Sequence, residues 1–131
     1  MEDSLYDILG RERIHALVTR FYDYMDTLPE AAAIRAMHPP DLASSREKLE
    51  LFLVGWSGGP PLYVERFGHP RLRARHLPFP IGNDEAWQWM HCMRKALAEV
   101  IPEPHQRSLL ESAFGRIAMH MRNAQDEVAT D

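Results

Sequence analysis

The sequence predicts an all-α fold. Apolar residues recur at three- and four-residue spacings in four separate stretches, prolines and glycines fall between them, and no stretch alternates with the period of a strand. The first stretch runs from Arg11 to Leu28, where Ile14, Leu17, Val18, Phe21, Tyr22 and Met25 form one helical stripe. Thr27-Leu28-Pro29-Glu30 then reads as a capping box that opens a short helix to about Met37, ended by Pro39-Pro40. Ser44-Ser45-Arg46-Glu47 is a second such box, followed by the stripe Leu49, Phe52, Leu53 and Trp56 and stopped at Gly58-Gly59-Pro60-Pro61. Between there and Gly82, the breakers Gly68, Pro70, Pro78 and Pro80 leave room for about two helical turns, near His69 to His76. Asn83 is placed to cap the next helix, with Asp84 and Glu85 in its first turn and Trp87, Met90, Leu97 and Ile101 on its broad apolar face. The last helix begins near Pro104 and carries Leu110, Ala113, Phe114, Ile117, Ala118 and Met121, and the polar tail from about residue 123 is expected to fray.

Four amphipathic helices must bury their stripes against one another, which predicts two antiparallel pairs in one domain spanning residues 1–131. The composition, 45% hydrophobic and 26% charged, is that of a globular chain. A net charge of −4 gives no reason to expect nucleic acid as a partner. The single cysteine, Cys92, allows no intrachain disulfide, the acidic start Met1-Glu2-Asp3-Ser4 is unlike a signal peptide, and no apolar run approaches bilayer length. The expected setting is the cytoplasm, without membrane insertion.

The irregular stretch 57–82 needs a reason to be ordered, and loops of that length in compact domains are commonly organised by a ligand. Seven histidines are present, without His-Glu-x-x-His spacing and with one thiol, so they do not read as a structural zinc site. His76 differs from the other six in its surroundings. Between Glu65 and Asp84 there is no acid, yet Arg66, Arg71, Arg73 and Arg75 all fall there, with Leu72, Leu77 and Phe79 beside the imidazole. One axial histidine, a local excess of positive charge and apolar neighbours suit haem, which carries a metal and two carboxylates. A solvated basic loop with an incidental histidine explains the same residues equally well.

The segment Arg73-Ala74-Arg75-His76-Leu77-Pro78-Phe79 resembles the proximal motif of the truncated haemoglobins of group II. Other pieces follow in the family's order. Arg20-Phe21-Tyr22 resembles the end of the B helix with its distal tyrosine, and Phe52-Leu53 followed by Gly58-Gly59-Pro60 resembles the E helix and its stop. Gly68-His69-Pro70-Arg71-Leu72 leads into the histidine, and Trp87 lies where this group carries a G-helix tryptophan. The resemblance runs from about Leu5 to Met121 and implies a two-over-two α-helical sandwich around haem b. Departures are a hinge reduced to Gly10-Arg11, His38 at a commonly aromatic position, and Ser45 where globins often carry the distal histidine.

The resemblance assigns His76 as the iron ligand, Tyr22, His38 and Trp87 as distal donors, and Ser45, Leu49 and Phe52 as the distal wall. It assigns Lys48, Tyr63 and Arg75 to the propionates and Leu72 and Phe79 to the porphyrin. Each distal residue also has a plainer reading: Tyr22 and Trp87 as core aromatics, His38 as a turn residue. His91-Cys92 is not a metal or redox pair, because adjacent helical residues do not face each other. Met90 and Met121 are candidates to border the cofactor. The implied ligands are dioxygen, carbon monoxide and nitric oxide. The implied role is redox detoxification of oxygen, nitric oxide or peroxide, with dioxygenase-like or peroxidase-like turnover and a reductase partner, rather than oxygen transport. A haem-based sensor, or a storage or interaction protein without turnover, is the alternative.

Overall fold

The computed structural model describes residues 4–71, 74, 76 and 78–123. These residues build helices α1 (Leu5–Thr27), α2 (Ala32–Ala36, preceded by a 3-10 turn at Pro29–Ala31), α3 (Ala43–Trp56), α4 (Leu62–Phe67), α5 (Asn83–Val100) and α6 (Pro104–His120). Helical backbone also occurs at Ala74 and His76. α1 packs on α3 and α5, and α5 packs on α6, so the pair α1–α3 meets the pair α5–α6 through α1 and α5.

α1 buries the expected stripe of Ile14, Leu17, Val18, Phe21, Tyr22 and Met25. Its first turns form a short separate segment, because Gly10 (φ 70°) breaks the helical path just before the expected start at Arg11. A positive φ costs glycine little, so one glycine suffices for this hinge. Ser4 and Asp7 close a capping box ahead of it, with the Asp7 N–H donating to Ser4 Oγ at 3.2 Å and the Ser4 N–H to Asp7 Oδ2 at 2.9 Å. The opening segment is tied down on the end of α3, where the Tyr6 N–H donates to the Ser57 carbonyl at 2.8 Å.

Three expected caps are corrected. Thr27 donates its hydroxyl back to the Asp23 carbonyl at 2.8 Å instead of capping forward, and Leu28 takes the cap position. Leu42 precedes α3 without a side-chain cap, while Asp41 Oδ1 accepts the Ala43 N–H at 2.9 Å. Gly82 stands before α5 and donates its N–H to Glu85 Oε1 at 2.7 Å, and Asn83 Oδ1 instead accepts from Arg122 at 2.6 Å. Asp and Glu bind a nearby N–H as readily as Ser, Thr or Asn, so local competition decides which residue caps. A fourth correction is α4, a helix formed before Gly68 in the stretch expected to be helical only from His69.

The glycine pair after α3 is required by close approach. A Cβ on Gly59 would stand 2.8 Å from the Tyr6 ring and 2.8 Å from the Val54 carbonyl oxygen. Gly59→Ala is expected to lower stability by about 1–3 kcal/mol, the usual range for overpacking, read as a lower thermal midpoint. At the start of α6, Glu103 accepts the N–H groups of His105 and Gln106, both at 2.9 Å, and these bonds hold its carboxyl below the usual range. A carboxyl more acidic in the folded state stabilises above its unfolded pKa, and the contribution is lost as pH falls through the folded value. Glu103→Ala is therefore expected to lower the melting temperature at neutral pH, with the gap to the wild type closing as the solution is acidified.

Candidate functional site

A cavity of about 430 Å³ lies between the helix pairs. Tyr22 on α1 lines it, with His38 after α2 and Ser45, Lys48, Leu49 and Phe52 on α3. His76, Phe79 and Ile81 line it from the segment before α5. Glu85, Ala86 and Trp89 on α5, and Ile117, Ala118 and Met121 from α6 and its end, add to the lining. Leu49, Phe52 and Ile117 are half-buried: each packs against the core and also borders this space.

Tyr22 is 5% exposed. Burial pushes its phenol well above the ordinary value, against a smaller opposing pull from Arg46. The hydroxyl therefore keeps its proton at any physiological pH. It makes no hydrogen bond to another described residue, and no described buried side-chain polar atom is left both occluded and unpaired. The hydroxyl thus opens onto the cavity as a donor. Its ring is fixed by Phe21, edge-on with centroids 5.0 Å apart, and by the Arg46 guanidinium 5.7 Å above it. Arg46 is itself held by the Thr19 carbonyl at 3.1 Å and Asp23 Oδ1 at 3.0 Å, which ties α3 to α1 beside the tyrosine.

His38 lies with its ring centroid 5.8 Å from that of Tyr22. Its Nδ1 is 2.8 Å from the Ile34 carbonyl oxygen, which accepts and so requires the proton on Nδ1. Burial, more than the repulsion it feels from Arg35 and His76, lowers its pKa and favours the neutral ring. Neutral His38 therefore keeps Nε2 as an acceptor. This corrects the expectation of a second N–H donor at this position.

The largest correction concerns the tryptophan. Trp87 is 51% exposed, stacked on His91 with centroids 4.7 Å apart, and it borders the outer groove between α5 and α6. Trp89 lines the cavity instead. It shares a helix face with Met93 and Ala96, at i+4 and i+7, and packs between Phe21 (5.1 Å) and Phe114 (6.2 Å). Two residues along a helix turn the side chain to a different face, and the apolar character of both tryptophans hides this in the sequence.

Tyr63 is also corrected. It is buried behind the wall, edge-on to Phe52 at 6.3 Å and tilted against Phe67 at 5.0 Å, and does not line the cavity. Lys48 does line it, with its ammonium 5.6 Å over the Phe67 ring. Leu72 and Arg75 lie outside the described residues, as do Arg73 and Leu77 of the same motif. Met121 borders the cavity, whereas Met90 borders the outer groove. Cys92 is fully buried and its thiol is pushed up to about 11 by burial, which keeps it protonated. Met37, Ile81, Ile117 and Ala118 are lining residues not singled out in the sequence, although the last two continue the stripe of α6.

A largely apolar cavity of this volume is in the range of small-molecule and cofactor sites. The donor set fits haem: apolar walls for the porphyrin, one imidazole from the 68–82 segment for iron, and the Lys48 ammonium for a carboxylate.

A family model described as bacterial-like globin matches residues 4–128. A group 2 truncated hemoglobin of Bacillus subtilis is 42% identical over 121 residues, covering 90% of this chain and 87% of the relative. A group II 2-on-2 hemoglobin from Agrobacterium tumefaciens superposes with a TM-score of 0.89 at 45% identity, covering 95% of this chain and 97% of that one. A truncated oxygen-avid haemoglobin from Bacillus subtilis gives a TM-score of 0.85 at 40% identity, over 92% and 100% of the two chains.

Proposed function

The chain belongs to the bacterial-like globins, among the group 2 truncated haemoglobins, and from that premise we propose that it binds haem b through His76 and holds dioxygen tightly for redox detoxification. Haem held through His76 would supply an iron able to bind a diatomic ligand such as dioxygen, carbon monoxide or nitric oxide. The observation that carries the reading is the buried Tyr22 hydroxyl, kept protonated and opening onto an apolar cavity.

A diatomic ligand carrying partial negative charge would be stabilised more by a fixed donor in this largely apolar cavity than by water. Tyr22 supplies one such donor, and the indole N–H of Trp89 supplies the second. Leu49 and Phe52 keep bulk water from the cavity. Lys48 and the basic segment around His76 offset the carboxylates of the cofactor. The oxygen-avid relative agrees with strong retention. Strong retention suits consumption of nitric oxide or peroxide better than release of oxygen to another protein, and turnover would draw electrons from a separate reductase.

The test is to mix the oxygen-loaded protein with nitric oxide. Stoichiometric conversion to nitrate faster than spontaneous oxygen loss is expected. Oxygen release that precedes and limits the reaction would contradict the detoxification reading.

A further inference from the structure

Asn123 follows the last helix, far in sequence from the histidine segment, yet it meets that segment at three points. Its Nδ2 donates to the His76 carbonyl oxygen at 3.0 Å. Its Oδ1 accepts the Ile81 N–H at 3.0 Å. Its own N–H donates to the Ile81 carbonyl oxygen at 2.8 Å. An N–H partner on one side and a C=O partner on the other fix which end of the amide is which. The His76 carbonyl also accepts the Phe79 N–H at 3.0 Å, so two donors converge on it.

We propose that Asn123 is a positioning residue for His76, clamping the backbone of the histidine segment between its carbonyl and Ile81 so that the imidazole is presented to iron in one orientation. The proposal rests on the haem reading above. The segment needs such a device. Gly68, Pro70, Pro78 and Pro80 deny it long regular helix, and Arg71 adopts a positive φ of 46°. Asn123 adds to the local Phe79 bond an anchor from outside the segment, on the last helix's end. The amide of asparagine donates from Nδ2 and accepts at Oδ1, two separate atoms, so neither aspartate nor alanine replaces both bonds. Outer partners of metal ligands typically contribute 10–100-fold to retention.

The experiment compares haem-loaded wild type with Asn123→Ala, Asn123→Asp and the control Met119→Gly. The control loosens the last turn of α6 through backbone freedom and removes no side-chain bond to His76 or Ile81. Asn123→Asp keeps the acceptor for Ile81 and loses the donor to His76, so it separates the clamp from general fraying. Resonance Raman spectra of the reduced, ligand-free proteins should show the iron–histidine stretch broadened and lowered in both Asn123 variants. Haem transfer to an acceptor apoprotein should be about tenfold faster in both, with the control like wild type. In the haem-free proteins, exchange of the Ile81 amide should accelerate in Asn123→Ala and stay slow in Asn123→Asp. An unchanged stretch and transfer rate in both Asn123 variants overturns the proposal, as does an equal change in Met119→Gly. Absence of any iron–histidine band in the wild type would instead overturn the haem reading, and the proposal with it.

Discussion

His76→Gly is expected to lose haem during purification, or to keep it with affinity reduced more than about 100-fold, the upper end of what removing a mere outer partner costs. His38 also lines the cavity, but its Nδ1 is committed to the Ile34 carbonyl and its ring belongs to the Tyr22 side. No other imidazole lines the cavity from the described residues. Removing the side chain to glycine leaves space that a free imidazole can enter. Added imidazole should therefore restore much of the lost colour, and a surface histidine variant such as His105→Gly should behave as wild type. Retention of full colour and affinity by His76→Gly would place the iron ligand elsewhere.

The second large effect concerns oxygen release. Tyr22→Phe and Trp89→Phe should each accelerate oxygen dissociation by about 10- to 150-fold, which corresponds to losing a hydrogen bond to a charged partner worth about 1.5–3 kcal/mol. Trp87→Phe, on the exposed face against His91, should stay within about twofold of wild type, as surface substitutions do. His38→Ala should not raise the rate as a lost donor would, because its buried neutral ring offers Nε2 as an acceptor. Stopped-flow replacement of oxygen by carbon monoxide reads all four. A large effect at Trp87 with none at Trp89 would contradict the assignment of the cavity tryptophan.

The contrast between the two tryptophans shows where sequence reading stops. The stripe of α1 was legible because six apolar residues at helical spacing admit one buried face, and all six are buried. On α5, Trp87 and Trp89 are both compatible with a broad apolar face until the aromatic contacts with Phe21 and Phe114 fix the rotation of the helix. His76, Tyr22, Leu49, Phe52 and Lys48 were likewise legible from motif order, and the cavity brings them together. Tyr63 was legible as an aromatic near the site, but only packing tells a wall from its backing. The caps were misread because several residues near each helix start can accept the same N–H, and geometry chooses among them. Asn123 carried no local signal at all. Its partners lie 42 and 47 residues away, and an isolated asparagine at the end of a helix looks like an ordinary terminator.

The most direct test is titration of the haem-free protein with haemin, followed by reduction under carbon monoxide. Absorbance in the Soret region should rise linearly to one haem per chain and then break sharply. Tryptophan fluorescence should fall over the same range, because Trp89 lines the cavity. A featureless rise without a break at one equivalent, with fluorescence unaltered, would contradict the account.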